Sequence, residues 1–201
     1  MKVTSISPLV RRRDRFAIFV DGKFSFALSQ TALLESKLVN NQEVDSSSLR
    51  KLKKLAQTDK TYLNALRYAS FRTRSTWELA DYLKRKQVDE VSSKKILERL
   101  TKLGLLNDEN FAKIWVDNRR RLKPSSERRL KLELRQKHVD AQIIQKVLET
   151  SELDDKATIK QLIIKKRRQT KYLNDELKLA QYLSRQGFNY DDIKTVLSDL
   201  K

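Results

Sequence analysis

The spacing of hydrophobic and polar positions changes period once along the chain. Through about residue 45, apolar positions alternate with polar ones or run together as β-branched and aromatic residues; from Ser46 onward they recur every three or four residues. Arg15-Phe-Ala-Ile-Phe-Val20 and Lys23-Phe-Ser-Phe-Ala-Leu28 read as strands joined by Asp21-Gly22. That dipeptide predicts a two-residue hairpin, because a type I′ turn needs positive φ at both central positions. Phe24, Phe26 and Leu28 alternate with Ser25 and Ala27, which predicts one buried face. Val3 to Ile6 is a candidate third strand, and Ser29 a candidate cap for a short helix through about Leu38.

The helical part repeats. Segments Trp77–Val88, Arg128–Val139 and Leu177–Phe188 can be laid over one another, with Leu83, Leu134 and Leu183 spaced 51 and 49 residues apart. Each carries a leucine, then a residue four positions on, then an apolar residue: Leu83/Gln87/Val88, Leu134/His138/Val139 and Leu183/Gly187/Phe188. This is the pattern of a Schellman stop, in which the middle residue turns left-handed and the flanking apolar pair packs together. Gly187 suits that position, and His138 is tolerated there. Gly104 predicts a similar stop pairing Leu100 with Leu105. Ser75-Thr-Trp-Glu78 is a capping box, so a helix starts near Thr76.

A first helix precedes each of these segments, over about 60–71, 108–121 (Phe111, Ala112, Trp115, Val116) and 155–168 (Ala157, Ile159, Leu162, Ile163). A third follows, marked by Ile96-Leu97 with Leu100 and Leu103, by Ile143-Ile144 with Val147-Leu148, and by Ile193 with Val196-Leu197. The expected fold is mainly α: a tandem array of three three-helix, helix-turn-helix-like repeats with a small N-terminal β-hairpin segment. The expected divisions are a hairpin with a short helix over 1–45, a connecting helix over 46–59, and repeats over 60–106, 107–152 and 153–201.

Composition adds a partner class. Lys and Arg number 44 against 26 Asp and Glu, a net charge of +18, which points to a polyanion. The absence of cysteine excludes disulfides, thiolate metal sites and cysteine nucleophiles, and suits a reducing cytoplasm. No run of 18 apolar residues predicts a membrane span, and Met1-Lys-Val-Thr-Ser-Ile-Ser-Pro lacks the apolar core of a signal peptide.

Catalytic chemistry has little to build on. Three glycines cannot supply the phosphate-cradling loops, and any histidine-based triad or metal site would have to use His138, already placed at a helix stop. No catalytic residue, metal or cofactor is therefore expected. The paired acids Asp89-Glu90, Asp108-Glu109, Asp154-Asp155 and Asp191-Asp192 could be imagined as a two-metal nuclease site. Each falls at a predicted helix start, where acids cap amides and complement the helix dipole. Asn107-Asp108 reads as a joint between repeats.

The basic residues carry the positive signal. Arg119, Arg120, Arg121, Lys123, Arg128, Arg129, Lys131 and Arg135 crowd the middle repeat; Lys165, Lys166, Arg167, Arg168 and Lys171 form a second run; Arg72 and Arg74 precede the capping box. These are the candidate DNA- or filament-binding residues. Arg11-Arg-Arg13 stands in a predicted N-terminal loop. The clusters at 119–121 and 165–168 fall at the C-terminal ends of equivalent helices, forming two matching basic corners. Trp77, Tyr82, Trp115 and Tyr182 fall on helix faces with leucines and are expected in cores rather than as a base-stacking platform.

Arg74-Ser-Thr-Trp-Glu-Leu-Ala-Asp-Tyr-Leu83, Leu103-Gly-Leu-Leu-Asn-Asp-Glu-Asn-Phe-Ala112 and Tyr182-Leu-Ser-Arg-Gln-Gly-Phe188 with Ile193 resemble the bacterial RecX regulatory proteins. The resemblance covers roughly residues 60–200, most specifically Leu-Asn-Asp-x-x-Phe-Ala at 106–112. The N-terminal hairpin is similar to the extra segment of longer members. Gln87 and His138 stand where glycine is commoner in that family. The resemblance implies three tandem three-helix domains and a non-enzymatic regulator, generally an inhibitor, of the RecA recombinase. Such a protein lies in the groove of the RecA–single-stranded DNA filament and suppresses ATP turnover and strand exchange, in DNA repair, recombination and the SOS response. The implied partners are the RecA filament and single-stranded DNA, with double-stranded DNA for some members. The chain is read as a cytoplasmic monomer away from the membrane. A stand-alone DNA- or RNA-binding module is the rival reading.

Overall fold

The computed structural model describes residues 1–10, 12–151, 153–173 and 175–200. Strands β1 (Val3–Leu9), β2 (Arg12–Val20) and β3 (Lys23–Ser29) form an antiparallel sheet in the order β1-β2-β3. The β2–β3 turn is the one predicted: Val20 pairs with Lys23 across Asp21 and Gly22, whose φ values are 48° and 75°. One face is apolar. Val3, Ile18, Val20, Phe26 and Leu28 pack on Ala32, Leu38, Val44 and Ala56.

Two expectations for this segment are corrected. Phe24 is exposed, because a register shift between Ile18 and Phe19 breaks the alternation, and its ring rests edge-on against Phe19 at 6.0 Å. Arg12 and Arg13 open β2 rather than a loop, with Arg12 opposite Leu9; Arg11 lies outside the described residues.

Ser29 caps α1 (Gln30–Ser36) by accepting from the Ala32 amide, and the helix stops sooner than predicted, at left-handed Lys37. Asp59 fastens this corner to the next helix: its carboxylate accepts from the Ser29 amide at 2.8 Å and hydroxyl at 2.6 Å, with buried Arg15 at 3.7 Å. That next helix, α2 (Ser46–Phe71), runs without a break where two helices were expected. No glycine, proline or cap interrupts residues 46–71, so nothing ends the first.

The remaining helices are α3 (Thr76–Arg85), α4 (Glu90–Lys102), α5 (Asp108–Leu122), α6 (Glu127–Gln136), α7 (Ala141–Thr150), α8 (Asp155–Arg167), α9 (Glu176–Arg185) and α10 (Tyr190–Ser198), with a 3₁₀ turn at Thr170–Tyr172. All three predicted Schellman stops are present. Gln87, His138 and Gly187 take φ of 55°, 53° and 93°. The amides of Val88, Val139 and Phe188 donate to the carbonyls of Leu83, Leu134 and Leu183 at 3.1, 3.2 and 3.3 Å. Gly104 is also left-handed and donates to Thr101. Leu103, expected inside, is exposed because α4 has already ended at Lys102.

The chain divides into two compact bodies, residues 1–72 with 83–100 and residues 73–82 with 101–201. The second holds two helical cores. Phe111, Val116, Leu130, Leu134, Ile144 and Val147 make one; Ile159, Ile163, Leu179, Leu183, Ile193 and Val196 make the other, joined by Tyr172. The fold is mainly α with a small N-terminal sheet, built from tandem three-helix repeats.

Candidate nucleic-acid interface

Within the second body the repeats are joined by the same bonds twice. Ser75, the cap of α3, donates its hydroxyl to the Lys137 carbonyl at 3.0 Å, and Ser126, the cap of α6, donates to the Gln186 carbonyl at 3.4 Å. Both serines are fully buried, and both hydroxyls also accept from their own helix, at Glu78 and Arg129. Asp108 accepts from the Thr76 amide at 2.7 Å, and Asp155 from the Glu127 amide at 3.2 Å. An aspartate starting one repeat thus binds the first amide of the middle helix before it, where the dipole favours an anion.

These joints explain the turn residues. A side chain on Gly187 would lie 2.5 Å from Ser126 Oγ and 2.9 Å from Arg129 Cβ, so only glycine fits there. At the other joint the turn residue is His138, whose ring stacks on Trp77 with centroids 4.3 Å apart and planes at 23°. The lone histidine is architectural, as predicted. Trp77, expected in a core, is 40% exposed because its partner is that surface ring.

The joints and cores sort the basic residues. Arg119 and Lys166, at equivalent positions on α5 and α8, turn inward. Arg119 Nε meets Glu133 Oε2 at 2.7 Å, and Lys166 Nζ lies 4.6 Å from the Tyr182 ring centroid. Arg120 and Arg167, the next pair, cap the third helix of their own repeat, donating to the carbonyls of Ser151 at 3.0 Å and Leu200 at 3.1 Å. Only the third pair, Arg121 and Arg168, points away exposed. The expected basic corners exist, but two of three equivalent positions in each are occupied structurally.

The other candidates divide similarly. Arg129 is tied to Glu133 at 3.4 Å and to the Arg185 carbonyl. Arg74 is buried, so it is no phosphate contact; Arg72 is exposed at the end of α2. Lys171 is exposed with its ammonium 5.6 Å from the Tyr172 ring. Arg121, Lys123, Arg128, Lys131, Arg135, Lys165 and Arg168 are exposed and form no ion pair among the described residues. Arg128, Lys131 and Arg135, spaced three and four apart, share one exposed face of α6, apart from buried Leu130 and Leu134.

The aromatic–cation contacts were not anticipated from the sequence. Trp115 donates to Glu133 at 3.0 Å, and its ring carries Arg119 at 5.1 Å and Lys137 at 5.4 Å. Lys137 also meets Glu78 at 2.8 Å. The i, i+4 spacing of Trp115 and Arg119 on one helix was the available signal. Burial, and then Tyr172, raises the pKa of the Tyr182 hydroxyl. The paired acids behave as helix starts: Asp89 accepts from Ser92, and Asp154 from Ala157. No cluster that could hold a metal occurs among the described residues, and no helix there is long and apolar enough to cross a membrane.

Tandem three-helix repeats with serine–carbonyl joints, an exposed basic helix and an N-terminal sheet define a helical-array protein. Three family models match: the regulatory protein RecX N-terminal domain over residues 1–45, the RecX first three-helix domain over 62–100 and the RecX second three-helix domain over 107–148. Together they span more than half the chain, which belongs to the RecX family. The regulatory protein RecX of Lactobacillus gasseri is 30% identical over 146 residues, 73% of this chain and 54% of that protein. That of Bacillus subtilis is 28% identical over 205 residues, 99% and 77%. The chain spans about half the length of the Lactobacillus relatives it matches. A crystal structure of regulatory protein RecX shares the fold with TM-score 0.72 at 23% identity over 98% of both chains. RecX from Lactobacillus salivarius gives 0.60 at 28% identity, covering 71% of this chain and 96% of that one.

Proposed function

We propose that the chain is a non-enzymatic regulator of RecA that binds along the RecA–single-stranded DNA filament and lowers its ATPase and strand-exchange activity. Family membership supports the partner. The observation that carries the DNA side is a set of exposed cations in the second body that form no ion pair among the described residues: Arg128, Lys131 and Arg135 on α6, with Arg121 and Lys123 around the end of α5 and Lys165 and Arg168 around the end of α8. Exposed cations without acid partners release counterions when they meet phosphates, so they supply salt-dependent affinity. On this reading the repeats over 60–106, 107–152 and 153–201 are the elements that follow the filament, and the segment over 1–45 precedes them.

The test compares two sets of variants. Arg121, Arg128, Lys131 and Arg135 changed together to Gln are expected to weaken inhibition of RecA ATPase. They should also lower the salt slope of single-stranded DNA binding by about 0.7 for each phosphate that is no longer neutralised. Arg120→Ala with Arg167→Ala, which removes two caps, is expected to lower stability by about 1 kcal/mol per cap while leaving the salt slope unchanged. Full inhibition by the first variant sinks the surface assignment. Tight, RecA-independent DNA binding without any effect on ATPase favours the stand-alone module.

A further inference from the structure

We propose that the cleft between α2 and α4, wholly within the first body, binds an acidic polypeptide segment carrying an apolar side chain. The cleft measures about 600 Å³, the size of a site for a discrete chemical group. Tyr62 and Ile96 give it an apolar lining, and Val91, 66% exposed, extends that lining to the mouth. Lys54, Lys95 and Arg99 line the same space, and none forms an ion pair among the described residues. Lys54 and Lys95 thereby differ from Arg119, Arg120, Lys166 and Arg167, which the fold itself uses, while Arg99 rests on a ring that lines the same cleft.

Arg99 is held in a defined pose. Its guanidinium lies 4.1 Å above the Tyr62 ring centroid, so one face is covered by the ring and the in-plane N–H donors remain to meet a carboxylate edge-on. The acid that lines the cleft, Asp89, is already occupied at the start of α4: it accepts from the Ser92 amide at 2.9 Å, and that bond holds its carboxyl below the usual range. The cleft is thus cationic around an apolar centre.

Two features favour a polypeptide over a nucleic-acid strand. The Tyr62 face that would stack a base is covered by Arg99. The ionised Asp89 would oppose a phosphate backbone laid along the cleft, whereas a peptide can place its carboxylates beside Lys95 and Arg99 and its apolar side chain against Ile96.

The test uses the full chain and a fluorescein-labelled dodecapeptide of Glu and Asp with one central Leu, followed by anisotropy, beside a labelled oligothymidylate. Lys54→Gln/Lys95→Gln/Arg99→Gln is expected to weaken the peptide about tenfold and leave the oligothymidylate unchanged. Replacing the peptide's Leu by Ser is expected to weaken it about fivefold on the parent protein and not on the variant. Lys54→Gln/Lys95→Gln, which alters only exposed side chains, guards against misfolding and should still cost about threefold. The proposal is overturned if the parent does not bind the peptide, if both variants bind it like the parent, or if the oligothymidylate weakens as much as the peptide.

Discussion

Gly187→Ala tests whether the joints hold the repeats in place. Two costs combine at this position. The left-handed backbone at φ +93° costs an alanine about 1–2 kcal/mol. The new Cβ would then sit 2.5 Å from Ser126 Oγ, a separation no packed pair sustains. Ser126 cannot yield cheaply: it is buried, its hydroxyl and amide both donate to the Gln186 carbonyl, and the hydroxyl accepts from Arg129. Losing these bonds or overpacking the joint costs about 1–3 kcal/mol more. Gly104→Ala is the internal control, because Gly104 has φ +72° and nothing within 4 Å of an added Cβ. It bears the backbone cost alone. Urea unfolding of both variants is expected to show Gly187→Ala less stable than Gly104→Ala by about 2 kcal/mol. Hydrogen exchange should localise the extra loss to the first turn of α6. Equal destabilisation within ~0.5 kcal/mol would refute the argument that the joint, rather than the turn, requires glycine.

Two other perturbations follow from the same body. Burial, and then the charges of Glu127, Asp192 and Asp154, raise the Asp155 pKa despite the Glu127 amide bond. The folded state therefore keeps this proton to higher pH than the unfolded chain, and its contribution to stability falls as pH rises from the ordinary carboxylate value through the raised one. Asp155→Asn, which keeps an acceptor for Glu127, should be more stable than the parent at pH 7 and equal to it below about pH 3.5; equality at pH 7 in urea melts refutes this. Glu133→Gln removes the charge shared by Arg119, Arg129 and Trp115, leaving two half-buried guanidinium groups without their anion. It should cost about 2 kcal/mol and shift Trp115 fluorescence; a spectrum and stability like the parent's would show that Glu133 is not the hub.

What was legible in the chain was local. The Asp21-Gly22 turn, the Ser75 and Ser29 caps and the three Schellman stops all depend on residues close together in sequence, and periodicity exposes such relations directly. The continuous α2 was missed because two apolar stretches suggested two elements, although no breaking residue separates them. Phe24 was misplaced because a strand bulge leaves no mark in an alternating pattern. The fate of the basic residues was not legible at all. Arg120 finds its partner 31 residues away at Ser151, and Arg167 finds Leu200 at 33. A run such as Arg119-Arg-Arg121 reads as one patch, while a helix sends consecutive side chains about 100° apart, toward a core, a neighbour and solvent.

That divergence also limits what a repeat period can say about an interface. Positions that the fold uses recur where the same joint or helix end recurs: the serine donating to the next turn and the aspartate holding the first amide at both joints, and the arginine capping the third helix in the second and third repeats. Positions facing solvent carry no such requirement. The stripe Arg128, Lys131 and Arg135 on α6 has Leu177, Ala180 and Ser184 at the equivalent places on α9. Exposed charge is therefore not spread evenly along the array, and within the two basic corners only Arg121 and Arg168 match from one repeat to the next as outward cations. On the proposed function, the periodic residues set the spacing with which the array follows a filament, and the aperiodic stripe on α6 makes the middle repeat its main anchor to phosphate.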